Sequence, residues 1–231
     1  MIDKNNKYTK MQREHYDSNA AYWTEESRDH VVGSFDQHNN WADYEILFER
    51  IENQKDKIGL DFGCGPGRNL VKYGTRFRRL DGVDISPINI QKAKGYTESN
   101  GLNPILYVSD GTGIETPEDY YDFVMSTICL QHICVYDIRY SIFEGIYKTL
   151  KKGGLFTAQM GYGSPSPYTV GYYINHFEAT GTNRDCDVCI ENENQLKGDL
   201  EKIGFTDFEF KITQVGPGDC HPRWIFFSAK K

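Results

Sequence analysis

Positions 60–70 read LDFGCGPGRNL, with Gly63, Gly65 and Gly67 alternating with Cys64 and Pro66 directly behind a short apolar run. An apolar strand that runs into bare backbone and leaves as a helix is how a parallel α/β sheet presents N–H groups to a nucleotide. Two cofactor classes compete for such a loop. A dinucleotide wants G-x-G-x-x-G with its pyrophosphate on the helix N-terminus, and the position that should hold the third glycine is Arg68. A tight strand-to-helix turn without any ligand is the remaining alternative.

The rest of the chain repeats the strand–helix alternation. Residues 57–63 form a first strand, with a helix expected to open at Pro66, where a missing N–H costs nothing. Residues 80–86 form a second, and Ser86-Pro87 pairs an N-cap residue with proline at the first helical position before Asn100-Gly101 supplies a stop. Residues 104–111 and 120–130 carry the β-branched and aromatic enrichment of buried strands. Ile138, Ile142, Ile146 and Leu150 recur every four residues, predicting a helix over 135–152 closed by Gly153-Gly154. A fifth strand follows at 155–162. Leu196, Leu200 and Ile203 mark a last helix stopped at Gly204, and FTDFEFKIT and RWIFFSAKK read as a terminal antiparallel hairpin.

This pattern predicts an α/β, Rossmann-like, seven-stranded and mostly parallel sheet with helices on both faces. Residues 1–56 read as a helical N-terminal cap with Trp41, Tyr44, Leu47, Phe48 and Ile51 on its apolar face, and 57–231 as the main domain. The join at about 163–190 is too long for an ordinary connection and, with Tyr162, Tyr168, Tyr172, Tyr173 and Phe177, reads as a folded lid.

Two acidic residues sharpen the ligand. Asp84 ends the second strand, where a carboxylate can accept from ribose hydroxyls, and Asp110 with Gly111 ends the third, where it can accept from an adenine amino group. Either could instead close a turn or cap a helix.

On these motifs the sequence resembles the class I S-adenosylmethionine-dependent methyltransferases from about residue 57 onward. DFGCGPG (61–67) is similar to the family's glycine motif, GVDIS (82–86) to its ribose-binding acidic strand, SDG (109–111) to its adenine contact and STICLQHI (126–133) to the segment that faces the substrate. The resemblance implies S-adenosylmethionine as cofactor, with Asp61 orienting the loop, Gly63, Gly65 and Gly67 approaching the methionine and ribose, and Asp84 on the ribose. It also implies Ile85, Asp110, Gly111 and Thr127 as cofactor contacts. HYDSNAAYW (15–23) resembles a helix that small-molecule members fold over the cofactor, making Tyr16, Tyr22 and Trp23 candidate contacts.

The sulfonium is already activated, so the protein has to align the nucleophile, exclude water and take a proton from a hydroxyl. His132, just after the fourth strand, is the candidate acceptor for that proton, and His221 is the second. The expected reaction is methyl transfer to oxygen or nitrogen of a small polar metabolite, a sugar or sugar nucleotide among them. A non-catalytic binding module and an NAD-dependent dehydrogenase are the alternatives.

Lys and Arg total 26 against 33 Asp and Glu, a formal net charge of −7, which disfavours nucleic acid as a partner. The sequence shows no apolar span of membrane length and no secretory leader, so a cytoplasmic protein without membrane partners is expected. Oligomeric state is left open. The six cysteines read as reduced thiols. Cys186, Cys189, Cys220 and His221 could in principle converge on zinc, but their spacing is unspecific, and no metal is expected. Thiols near a methyl donor also admit a soft acceptor such as arsenite.

Overall fold

The computed structural model describes residues 7–20, 44–178, 187–215 and 221–231. Its centre is a sheet of nine strands: β1 Ile58–Phe62, β2 Arg79–Asp84, β3 Leu106–Val108, β4 Tyr121–Ser126, β5 Leu150–Tyr162, β6 Thr169–Gly171, β7 Asp187–Ile190, β8 Thr206–Gln214 and β9 Arg223–Lys230. Strands β3, β2, β1, β4 and β5 lie side by side and parallel, and β9 and β8 follow antiparallel beyond β5. Strand order reverses between β1 and β4, so the loops after these two strands diverge and open a crevice at their carboxyl ends.

The strands alternate as buried strands should. Along β5, Phe156, Ala158, Met160 and Tyr162 join the core under helices α4 (Tyr136–Thr149) and α5 (Glu193–Ile203), while Leu155 joins a second core on the opposite face. That second core contains Tyr44, Leu47, Phe48 and Ile51, so the predicted apolar face of the N-terminal region is buried as expected. It does so on a single 3₁₀ turn, Glu45–Phe48, rather than on a long helix. Trp41 lies outside the described residues.

Helix α2 runs Arg68–Gly74 and α3 Pro87–Ser99. The first opens two residues later than predicted, because Gly65 and Gly67 sit at φ +53° and +94°, which no helical residue adopts. Capping of α3 follows the sequence: the Ser86 hydroxyl accepts from Asn89 N–H, and Pro87 opens the first turn. The predicted helix over 135–152 ends at Thr149. Leu150, read as the end of its apolar stripe, is instead the first residue of β5 and pairs with Tyr121. The next pairing in the ladder is Phe123 with Leu155, so Gly153 and Gly154 fall in a bulge, with Gly153 at φ +78°.

The two strands beyond the seven expected come from the long join. At Gly161 and Tyr162, β5 pairs with β9 on one edge and with Cys189 and Ile190 of β7 on the other. That second edge is the one β4 occupies up to Ser126 opposite Ala158. Strand β7 therefore takes over where β4 stops, above the carboxyl ends of the parallel strands. Helix α1, Lys7–Ala20, covers the same end.

Ser86 serves both layers, since its hydroxyl also donates to Asp17 of α1 at 2.6 Å. Ser86→Ala should cost about 1–2 kcal/mol of stability through the lost cap, read by denaturant unfolding. It should also speed proteolysis within α1, and a variant with wild-type stability would show that neither bond matters.

Candidate functional site

The loop between β1 and α2 is held from three sides. Gly63 N–H donates to the carbonyl of Val83 at 2.8 Å, and Gly65 N–H donates to Asp84 Oδ2 at 2.9 Å. Gly63 has φ +77°, and a β-carbon there would sit 2.3 Å from Cys129 Sγ, so this approach of two loops admits only glycine. Asp84 Oδ1 accepts from Ser86 N–H at 2.9 Å and from Asn89 Nδ2 at 3.3 Å. Burial raises the Asp84 carboxyl above its ordinary value, and these three donors offset only part of that rise.

Beside the loop lies a cavity of about 480 Å³, within the range of small-molecule and cofactor sites. Of the residues singled out in the sequence, Gly63, Gly65, Asp84, Ile85, Gly111, Thr127, Tyr16 and His132 line it. Gly67 stands behind it as the residue preceding α2, packed against Ala93. Asp110 is not in the wall: its Oδ1 accepts from the N–H and hydroxyl of Thr112, both at 2.8 Å, the turn-closing role. Tyr22 and Trp23 lie outside the described residues.

Asp61 sits fully buried at the end of β1, and neither carboxylate oxygen has a well-formed hydrogen bond within the protein. Burial pushes its pKa up to about 7, against the pull of Arg68 and Asn69. Asp61 is not itself in the cavity wall, which its neighbours Phe62 and Gly63 form. Asn69 and Asn89 are further wall residues that the motifs do not mark. Each has a buried amide oxygen without a protein donor, which suits ligand hydroxyls.

Helix α1 forms the roof. Arg13 donates to the carbonyls of Ile85 at 3.2 Å and Ser109 at 2.8 Å, bridging the ends of β2 and β3. The Tyr8 hydroxyl accepts from Cys134 N–H at 2.8 Å and donates to the His132 carbonyl at 3.3 Å, where Gln12 also donates. Tyr16, beside Cys129, Asp187 and Asp84, has its phenol held protonated, first by burial and then by these neighbours.

The segment after β4 is strained. Ile128, a β-branched residue, has φ +47°, and it is followed by a 3₁₀ turn, Leu130–His132, that turns His132 into the cavity wall. His221 lies on the other side of the fold's edge, its ring against Gly161, where a β-carbon would come within 2.0 Å of Nδ1. The two histidines are brought together by a residue that no motif marks. Asp187, at the start of β7, meets His132 Nδ1 through Oδ1 at 2.6 Å and His221 Nε2 through Oδ2 at 3.1 Å. Burial alone would raise the Asp187 carboxyl, but the two imidazoles outweigh it and hold it well below the usual carboxylate range.

Among the described residues no group of three His, Cys, Asp or Glu side chains is arranged to hold a metal ion. Cys189 is buried, donates its thiol to the Gly163 carbonyl at 3.1 Å and is pushed up to about 12, chiefly by burial. Cys186 and Cys220 lie outside the described residues. No helix among those residues is long and apolar enough to cross a membrane.

A parallel sheet with this strand order, a glycine loop after β1 and an acidic residue ending β2 defines the class I methyltransferase fold. Residues 60–154 match the family described as "Methyltransferase domain", which bears out the resemblance read from the motifs. Over 106 residues the chain is 28% identical to ribosomal protein L11 methyltransferase of Clostridium botulinum, covering 45% of this chain and 31% of that protein. Over 123 residues it is 33% identical to 18S rRNA (guanine(1575)-N(7))-methyltransferase of Saccharomyces cerevisiae, covering 48% and 42%. The chain thus spans about a third to two-fifths of these relatives. Among solved structures, phosphoethanolamine N-methyltransferase 2 of Haemonchus contortus, in complex with phosphomonomethylethanolamine and S-adenosylhomocysteine, has the same fold. Its TM-score is 0.62 at 21% identity, covering 81% of this chain and 51% of that one.

Asp61 gives a pH signature. With its folded pKa raised from 3.8 to about 7, the native state holds a proton that the unfolded chain releases, so its contribution is fully present below about pH 4 and lost as pH rises through 7. Asp61→Asn should therefore gain on the wild type in unfolding free energy progressively between pH 4 and 7, by at most about 4 kcal/mol, with a matching rise in relative Tm, and hold that gain above. Parallel Tm curves for the two proteins would contradict the raised pKa.

Proposed function

We propose that this chain transfers the methyl group of S-adenosylmethionine to an oxygen or nitrogen of a small polar molecule. The observation that carries this reading is one cavity faced together by the glycine loop, Asp84 and His132. Asp84 and Asn89 would hold the ribose, and Asp61 would balance the charge of the methionyl amine. When bound, S-adenosylmethionine supplies a methyl group already activated on a sulfonium.

What the protein adds is alignment, dryness and a place for a proton. Helix α1, pinned over the strand ends by Arg13, Tyr8, Gln12 and Asp17, would shield the reacting groups from water on the side it lines. For a hydroxyl acceptor, His132 would take the hydroxyl proton as the acceptor is methylated. Asp187 takes His132 Nδ1, so the proton would be received at Nε2.

Several features support a small, polar acceptor. The chain's net charge of −7 disfavours a polyanion, the cavity is of small-molecule size and has helix α1 along one side, and the H. contortus neighbour carries a small phosphorylated amine. The C. botulinum and S. cerevisiae relatives, by their names, act on a protein and on RNA, so the acceptor has to be found by experiment. The reading takes residues 57–231 as the methyltransferase domain, 1–56 as its cap and the stretch near 163–190 as a lid. It also sets the protein in the cytoplasm, supported by the free thiols of Cys64, Cys129, Cys134 and Cys189.

Release of S-adenosylhomocysteine from a mixed metabolite pool, followed by mass spectrometry, should identify the acceptor. His132→Ala should cut that turnover about 10²-fold or more with cofactor affinity retained. Turnover undiminished in this variant would assign His132 a structural role.

A further inference from the structure

The long join between β5 and α5 brings a charged residue against His132, which lines the cavity. Asp187 opens a strand that is otherwise Val-Cys-Ile and wholly buried, and it is itself only 7% exposed. Burying a carboxylate costs several kcal/mol unless it is well paired. As an anchor for the join it would be a poor choice, and the join is already anchored. Strand β7 pairs with Gly161 and Tyr162, Val135 bridges Asn175, and Arg139 donates from beneath to the carbonyls of Ile133 and Tyr172. The carboxylate instead spends both oxygens on the two imidazoles, at 2.6 and 3.1 Å.

We propose that Asp187 is a positioning residue of the methyl-transfer site, fixing His132 in the Nδ1–H tautomer and His221 in the Nε2–H tautomer by accepting a hydrogen bond from each. This rests on the reading of His132 as proton acceptor. An ionised carboxylate can only accept, so each neutral ring must carry its proton on the nitrogen facing Asp187. For His132 that puts the lone pair on Nε2, the atom that would receive the acceptor's proton. His221 cannot retreat, because its ring lies on the bare backbone of Gly161 and against Trp224, with ring centroids 4.8 Å apart. It steadies the far oxygen, so that Asp187 is oriented from one side and orients on the other. Among the described residues, Tyr16 of α1 and Cys189 of β7 also face Asp187, and His15 of α1 faces His132; none of the three is a carboxylate.

The test is nitrogen–proton correlation NMR of the histidine rings in the intact chain, wild type and Asp187→Asn, together with S-adenosylhomocysteine release and S-adenosylmethionine affinity. Wild type should show His132 as the Nδ1–H form, and Asp187→Asn should lose that preference. Its turnover should fall about 10²- to 10⁴-fold, the scale seen when a catalytic histidine loses its orienting carboxylate, while affinity stays within threefold. An Nε2–H form of His132 in the wild type overturns the proposal whether or not the variant folds. So does a variant that loses the tautomer yet keeps its rate, which would make Asp187 a pin and nothing more. A wild-type chain that releases no S-adenosylhomocysteine fails the broader reading instead, and the tautomer result tells the two failures apart.

Discussion

The shape of the glycine loop at the cavity depends on the carboxylate of Asp84. Its Oδ2 accepts from Gly65 and its Oδ1 from Ser86 and Asn89, so one side chain ties the glycine loop after β1 to the start of α3 after β2. Hydrogen bonds to an ionised acceptor are stronger than neutral ones, and here they act with the Val83 carbonyl to hold a segment with three left-handed glycines. The resulting crevice exists because β1 and β4 are neighbours whose following loops turn opposite ways. Everything else that faces the cavity is placed relative to that seam.

Two additions then complete its surroundings. Helix α1 is tied to three strand ends through backbone carbonyls rather than through side-chain packing alone, so the roof is referenced to the sheet itself. The join after β5 contributes β7 in line with β4 and brings Asp187 to the loop that carries His132. The chemistry proposed for the site thus draws on both ends of the chain and on the join between, with the common fold as their frame.

The frame was largely legible in the sequence because its signals are local. Glycines at 63, 65 and 67, the Ser86-Pro87 cap and Gly204 each specify a backbone conformation that few other residues adopt, and all are found in those roles. The errors arose where tertiary pairing overrides local pattern. Leu150 fits the helical period of Ile138, Ile142 and Ile146, yet the open edge of β4 recruits it into β5. Asp187 could not be picked out, since an isolated aspartate in a long join has no partner at fixed spacing, and His132 and His221 lie 55 and 34 residues away. Arg13, Tyr8 and Gln12 escaped for the same reason: their partners are backbone carbonyls and a backbone N–H of distant strands and loops. A buried charge heading an apolar strand was the one available hint.

Calorimetric titration of the intact chain with S-adenosylmethionine, beside the Asp84→Ala variant and beside NADH, tests the central claim most directly. The account predicts saturable binding of S-adenosylmethionine, weakened more than tenfold in the variant with its circular dichroism unchanged, and no heat with NADH. Heat with NADH alone, or equal affinity in wild type and variant, would contradict it.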